Sequence, residues 1–196
     1  MNLKAAGLRP ASGWNPGWLP IAGFVLLAAW VPLLRYASLS GAGVAPFLCS
    51  FLVAGMAYLW SLKRLKDENP ALWIIWGLAI AFRLVLLFTP VSLSNDVYRY
   101  IWDGHLLGHG INPYAQTVLS PLLDGFTTAL RGEVNFPWMA SPYLPAAQVY
   151  FSVVEFIAPQ SPFAFQLGAA LLDLASGGMV MLILRRLCIP QKIVLL

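Results

Sequence analysis

The chain has 196 residues, of which 59% are hydrophobic and only 10% are charged, and its mean hydropathy is +0.72. Soluble domains carry about a quarter charged residues, so this composition excludes an ordinary water-soluble protein and predicts an integral membrane protein. The formal net charge is +4, but the basic residues lie in short loops beside apolar runs, which argues against nucleic acid as a partner.

Four apolar runs are near the length of about 20 residues that a helix needs to cross a bilayer. They lie at roughly 19–37, 44–62, 71–91 and 163–184. The loop from Lys63 to Pro70 is the densest basic loop, and the positive-inside rule places it in the cytoplasm. The N-terminus is then cytoplasmic as well, and the third span carries the chain outward. We predict an all-α fold, a polytopic transmembrane helix bundle of about four spans.

The segment 144–158 is apolar but lacks the character of a further span. It has only about 15 residues, includes a glutamine and a glutamate, and is flanked by prolines, so we predict an interfacial or re-entrant helix. The last span then returns inward and places Arg185 and Arg186 in the cytoplasm. Residues 92–162 are accordingly predicted to form a long extracytoplasmic loop. Residues 192–196 resemble the start of a fifth span, which indicates the front portion of a longer protein.

Charged residues concentrate directly after the third span, in the stretch SNDVYRYIWDGHLLGHGINPY, from Ser94 to Tyr114. Ser94 and Asn95 are residue types that cap helices, whereas the glycines and the proline near the end of the stretch break them. We therefore predict a helix over about 95–108.

One face of this predicted helix carries Asp96, Arg99, Tyr100 and Asp103, at positions i, i+3, i+4 and i+7. Two aspartates on one face are close enough to act on one ligand, and the arginine between them could hold a carboxylate ionised or bind a phosphate. The alternative is a solvated face whose salt bridges contribute less than about 1 kcal/mol each. Other positions around the helix are apolar: Val97, Ile101 and Leu107. They predict that the helix rests at the membrane surface.

His105 and His109 have the i, i+4 spacing of metal ligands, but no third ligand stands at a fixed spacing. A surface or interfacial histidine pair is the favoured interpretation, and a bound divalent cation is the alternative. Cys49 and Cys188 lie in or beside apolar runs, so neither a disulfide framework nor a zinc site is indicated. The sequence therefore assigns no metal ligands and no definite cofactor, with a divalent cation as the open alternative.

Two ionisable residues fall inside predicted spans, Arg83 in the third and Asp173 in the fourth. Each is costly against lipid, so both must point into the bundle, to water or to one another. We predict an Arg83–Asp173 pair that clamps two helices, with a contact to a lipid phosphate as the alternative.

The run RLVLLFTPVSLSNDVYRYIWDGHLLGHGINPY, followed by SPYLPAAQVYF, resembles bacterial integral-membrane glycosyltransferases of the GT-C superfamily, in particular the polyprenyl-phosphate-mannose-type mannosyltransferases. The resemblance covers roughly residues 72–186, and its strongest part is D-x-Y-R-Y-x-W-D-G with G-x-N-P-Y. It implies that 71–196 is the N-terminal part of a catalytic module and that 1–70 is a transmembrane hairpin before it. It also implies a multi-pass protein of the bacterial inner membrane.

The resemblance implies transfer of a mannose-like sugar from a polyprenyl-phosphate donor to an extracytoplasmic glycan or lipid acceptor. Asp96 is then the expected general base, with Asp103 as the second candidate or an orienting partner, and Arg99 is the leading phosphate contact. The residues expected to bind substrate are Arg99, Tyr100, Asn112, Arg131, Tyr143 and Gln148.

Two positions depart from the family pattern. Asn95 stands where these proteins usually carry a first aspartate, and Leu144 replaces a proline of the Tyr-Pro-Pro-x-x-Gln segment. The chain is also shorter than these enzymes, which indicates a truncated or partial copy. Two other function classes are therefore alternatives. One is a non-catalytic membrane interaction subunit or remnant. The other is a transporter or lipid-flipping accessory, which is less favoured because the spans contain few polar residues.

Overall fold

The computed structural model describes residues 17–30, 43–65, 72–91, 94–126 and 129–190. Within these ranges the protein has six α-helices, joined by loops with two short 3-10 turns, and no strand. The helices are α1 (Trp18–Ala29), α2 (Val44–Leu65), α3 (Leu72–Leu87), α4 (Asp96–Gly108), α5 (Pro145–Ile157) and α6 (Pro162–Arg186). The predicted all-α class is confirmed for the described part of the chain, and so are the helices predicted over 95–108 and within 144–158.

Two of the four predicted spans form helices long and apolar enough to cross a membrane, α2 and α6. α1 and α3 are apolar but shorter, with 12 and 16 residues. The four-span topology therefore stays a prediction. The later part of the first predicted span, most of the basic loop with the boundary at residue 70, and the suggested fifth span at 192–196 lie outside the described residues.

The long helices α2 and α6 present apolar side chains to the outside rather than to a protein core. Within the most apolar 18 residues of each helix, 6% are buried in α2 and 0% in α6. Such surfaces are stabilised by lipid and not by water, because a helix that is apolar all round needs an apolar environment. Together with the composition, these two helices indicate a membrane protein.

The predicted pairing of Arg83 with Asp173 is confirmed. Nε of Arg83, on α3, donates to Oδ2 of Asp173, on α6, at 2.9 Å, and Nη2 donates to the same oxygen. Nη1 of Arg83 donates to the carbonyl oxygen of Ala79 at 2.9 Å. This pair links two apolar helices through side chains that are 90 residues apart along the chain.

Helices α4 and α5 cross at very close range, and a glycine sets the distance. A Cβ atom at Gly104 would lie 2.5 Å from the carbonyl oxygen of Phe151, which is closer than Cβ atoms approach. Ile101 lies beside this crossing and is 0% exposed, packed with Phe151 and with Phe165 of α6. The prediction that Ile101 faces a membrane surface is therefore wrong, because α5 covers that side of α4.

The loop between α4 and α5 folds back over the other side of α4. Trp102 and Leu106 of α4 form a second buried cluster with three loop residues, Val118, Leu123 and Val134. Arg131 fixes this loop from within, because it donates to the carbonyl oxygens of Val118 and Leu123 at 2.7 to 3.2 Å. Helix α4 is thereby held between α5 and its own following loop.

Candidate functional site

The two aspartates of α4 have different surroundings, and Asp103 is the enclosed one. Its side chain is 1% exposed. Oδ1 accepts a hydrogen bond from Nε of Arg99 at 3.1 Å, and Oδ2 accepts one from Nε2 of Gln148 at 3.0 Å. Three residues predicted for the site are thus brought together, but their polar atoms face one another and not solvent.

The network around Asp103 extends to the segment that precedes α5. Arg99 donates from Nη2 to the carbonyl oxygen of Met139 at 2.7 Å, and Gln148 also donates to the hydroxyl of Ser141. The Arg99 side chain is only 3% exposed. A ligand phosphate would have to displace these internal partners, so the geometry favours a structural role for Arg99. The predicted alternative of a solvated face is wrong for Arg99 and Asp103, which are buried.

Asp96 is the open carboxylate. It is partly buried at the first position of α4, where the helix dipole favours negative charge. Its Oδ1 accepts a hydrogen bond from Nδ2 of Asn135 at 2.5 Å, and its backbone N–H donates to the hydroxyl of Ser94 at 3.1 Å. Its Oδ2 has no hydrogen-bond donor among the residues that the structure describes. Asp96 therefore has one oxygen held by Asn135 and one that accepts no hydrogen bond from the described parts of the chain.

Two tyrosines lie within electrostatic reach of Asp96. The rings of Tyr100 and Tyr143 meet edge to face with centroids 5.1 Å apart, and Tyr100 stacks on Phe151 at 4.5 Å. Burial and then the charge of Asp96 raise the pKa of Tyr100. Burial, followed by interactions with Tyr100 and Asp96, raises the pKa of Tyr143. Both phenols therefore keep their protons at neutral pH, and a hydrogen bond between the two hydroxyl groups leaves one of these protons to be donated to a ligand.

The remaining predicted residues, Arg131 and Asn112, contact other parts of the outer loop. Arg131 pairs with Asp124 at 3.2 Å and stacks its guanidinium over Trp102 at 5.2 Å, and none of its hydrogen bonds goes to Asp96 or Asp103. Oδ1 of Asn112 accepts a hydrogen bond from the N–H of Tyr114. The eight predicted residues therefore do not form one pocket.

The histidine pair lies beside a buried glutamate. The rings of His105 and His109 have centroids 4.4 Å apart, and Nδ1 of His105 is 3.6 Å from Oε1 of Glu155 on α5. Burial, with a contribution from His109, lowers the pKa of His105, whereas burial raises the pKa of Glu155. Among the described residues, no group of three or more His, Cys, Asp or Glu side chains is placed to hold a metal ion. A bound cation stays an untested alternative.

Comparison with known families identifies the chain. Residues 4–192 match the family described as the N-terminal domain of alpha-(1→6)-mannopyranosyltransferases. The chain belongs to this family. The resemblance to membrane mannosyltransferases is confirmed, and family membership supports a glycosyltransferase role with a sugar donor and an acceptor. No curated protein and no solved structure matches the chain.

Sequence reasoning missed several residues that shape the site of this mannosyltransferase-family chain. Asn135 holds the Asp96 carboxylate from 39 positions away along the chain, and no local pattern signals that contact. Ser141 joins the Asp103 network in the same long-range way. Gly104 did carry a signal, since a glycine inside an amphipathic helix often marks a close backbone approach.

Proposed function

We propose that this chain transfers a mannose-like sugar from a polyprenyl-phosphate donor to a glycan or lipid hydroxyl at the outer face of the bacterial inner membrane. In this proposal the N-terminus is cytoplasmic, residues 92–162 face outward, and Asp96 is the general base. Membership of a mannosyltransferase family supports the reaction class. The single observation that carries the choice of base is the contrast between an open Asp96 and an enclosed Asp103.

A general base must reach the proton of the attacking hydroxyl within hydrogen-bond distance. Oδ2 of Asp96 meets this requirement because no donor among the described residues occupies it, and the hydrogen bond from Asn135 fixes the carboxylate through Oδ1. Asp103 would first have to release both Arg99 and Gln148. We therefore assign Asp96 to proton removal and Asp103 to holding α4 against α5.

The departing phosphate develops negative charge and needs hydrogen-bond donors nearby. Tyr100 and Tyr143 are protonated and lie within electrostatic reach of Asp96, so they are the best-placed candidates for donors to the phosphate or to a sugar hydroxyl. This assignment differs from the initial expectation for Arg99, whose guanidinium is used inside the protein.

A lipid-linked donor keeps its tail in the bilayer, so the base must lie near the membrane. Only eight residues, 88–95, separate the end of the apolar helix α3 from Asp96 at the start of α4. Helix α5 exposes an apolar stripe on the side that does not pack against α4: Val153, Phe156 and Ile157. Both features support a position of α4 and α5 at the membrane interface.

The test is the substitution Asp96→Asn, expressed in the complete protein and assayed in membranes with a radiolabelled polyprenyl-phosphate sugar and mixed acceptors. We expect transfer to fall by about 10²–10⁴-fold, because a positioned base contributes a factor of that order. The amount of membrane-inserted protein should not change, since Asp96 is only partly buried.

Asp124→Asn is the matched control, because Asp124 is an acid of the same loop whose side chain is 71% exposed. This variant should transfer sugar at the wild-type rate. Full activity in Asp96→Asn, or an equal loss in both variants, would remove Asp96 from the role of base.

A further inference from the structure

The proposed reaction leaves the motif G-x-N-P-Y, at the end of α4, without a role. Gly110 has a φ of +75°, a left-handed conformation that suits glycine and turns the chain away from the helix. Oδ1 of Asn112 then accepts a hydrogen bond from the N–H of Tyr114 at 2.9 Å. The hydroxyl of Tyr114 donates to the carbonyl oxygen of Tyr143 at 2.6 Å, so the ring is fixed in place.

This turn forms one wall of a cavity of about 310 Å³, and the first turns of α5 form the other. The cavity is within the range of known ligand sites. Its lining includes two residues with amide side chains, Asn112 and Gln148, and the aromatic residue Tyr114, and the other described residues around it are aliphatic, proline or glycine. No charged side chain lines it among the described residues, so nothing there selects a phosphate or another ion.

Gln148 carries an unused hydrogen-bond acceptor next to this wall, buried within the protein. Its Nε2 must face Asp103, because a carboxylate accepts and cannot donate, and this fixes the orientation of the amide. Its Oε1 is then left without a hydrogen-bond partner in a residue that is only 2% exposed. An unsatisfied buried acceptor calls for an explanation, and an incoming hydroxyl group would supply its missing donor.

We propose that this cavity is a binding subsite for a neutral carbohydrate chain. The ring of Tyr114 would stack on the apolar face of a sugar, and the amides of Asn112 and Gln148 would bind its hydroxyl groups. A hydrocarbon tail would leave the Gln148 oxygen unsatisfied, and an anion would find no positive charge. The assignment rests on the proposed function, because it takes the carbohydrate to be the acceptor.

The position of the cavity specifies which part of the acceptor it holds. On its near side the cavity is lined by Gln148, which donates to Asp103, 7 residues or about 10 Å along α4 from Asp96. On its far side it is lined by Leu107, 11 residues or about 16 Å from Asp96. A single sugar ring does not span these distances. The cavity therefore binds a sugar at least one unit away from the reacting one, and it favours long acceptors over a single sugar.

The test measures binding without any donor, so that it does not depend on transfer. The complete protein in lipid nanodiscs is titrated with an α-1,6-linked mannotetraose and with mannose, and binding is followed by saturation-transfer NMR. We expect the tetraose to bind more tightly than mannose. Tyr114→Ala should weaken tetraose binding about five- to tenfold, because the stacking surface is lost, whereas Tyr114→Phe keeps the ring and should retain most of the affinity.

Two further variants separate this proposal from others. Trp138→Ala removes another exposed aromatic side chain of the same loop, 66% exposed and outside the cavity, and should bind the tetraose as the wild type does. Asp124→Asn, at an exposed acid of the same loop, should also bind the tetraose normally. Because the assay contains no donor, loss of transfer in Asp96→Asn and loss of binding in Tyr114→Ala are separate outcomes. The proposal is overturned if the wild type does not bind the tetraose, if folded Tyr114→Ala binds it equally well, or if a sugar-free polyprenyl phosphate displaces it.

Discussion

Two arginine–aspartate pairs of this protein have the same chemistry but opposite surroundings. Arg99 and Asp103 lie between α4 and α5 with side chains 3% and 1% exposed, and their remaining hydrogen bonds go to protein groups. Arg83 and Asp173 join α3 to α6 with side chains 29% and 61% exposed. The first pair is sealed inside a small polar core, and the second stands on the surface of apolar helices.

The difference follows from the surroundings of each region, which are water for one and an apolar environment for the other. The α4–α5 region is predicted to face water, so its fold depends on a core in which every charge has a partner. Helix α6 carries its apolar residues outward, and α3 exposes Ile80 and Leu84 beside Arg83. A charge there is stabilised mainly by its partner on the neighbouring helix. The Arg99–Asp103 pair therefore organises a core, and the Arg83–Asp173 pair joins two helices in an apolar environment.

Removing the buried cation should have the largest effect. Arg99→Met leaves the Asp103 carboxylate in the core with Gln148 as its one remaining partner, and we expect the free energy of unfolding to fall by about 3–5 kcal/mol. The corresponding fall in the melting temperature is about 10 °C for a chain of this size. Thermal unfolding of the purified protein in detergent, followed by tryptophan fluorescence, measures it.

The double variant Arg99→Met with Asp103→Leu is the matched control, because it removes both charges and leaves no carboxylate buried alone. It should recover much of the lost stability. If Arg99→Met melts within about 2 °C of the wild type, the Arg99–Asp103 contact does not organise the core.

Reversing one charge of the exposed pair should have a smaller effect. Arg83→Asp or Asp173→Arg places like charges together on apolar helices, and we expect a loss of about 1–3 kcal/mol, seen as less folded protein in the membrane. The swapped double variant should restore the wild-type amount, because it recreates the pair with its members exchanged. Failure of the swap to restore the protein would favour a specific ligand for Arg83 over a helix clamp.

The contrast between the two pairs also shows which contacts could be predicted from the sequence and which could not. Local patterns were sufficient for α4, whose start follows Ser94 and Asn95 and whose end coincides with the glycines, and for α5, which is delimited by prolines. The pairing of Arg83 with Asp173 was also predictable, because isolated charges in apolar spans have few other partners.

The buried network could not be read from the sequence in the same way. Arg99 and Asp103 are one helical turn apart, and that spacing is equally typical of a solvated face. Their burial depends on Gln148, which lies 45 residues from Asp103, and on the carbonyl oxygen of Met139. Such a stripe is exposed or buried depending on whether a second helix covers it, and the periodicity of the first helix contains no information on that second helix.

The smallest expected effect concerns the second buried acid of the α4–α5 region, Glu155. Burial raises its pKa above the ordinary value of 4.5, although the N–H of Gln160 and the nearby His109 oppose the rise. The protonated form is therefore the one that folding favours, and its contribution to stability is lost as the pH rises from about 4.5 through the raised pKa. Glu155→Gln remains neutral and should melt about 2–4 °C above the wild type at pH 7.5, with no difference at pH 4.

His105 has the opposite dependence on pH, and it is present in both the wild type and Glu155→Gln. Burial lowers the pKa of His105 from 6.5, so its contribution is present above pH 6.5 and is lost as the pH falls through the lowered value, in the wild type and the variant alike. The decisive result is the sign at pH 7.5. A variant less stable than the wild type there would mean that Glu155 is ionised and paired with His105 across their 3.6 Å contact. The α4–α5 region would then contain a second ion pair at a position where burial favours a neutral acid.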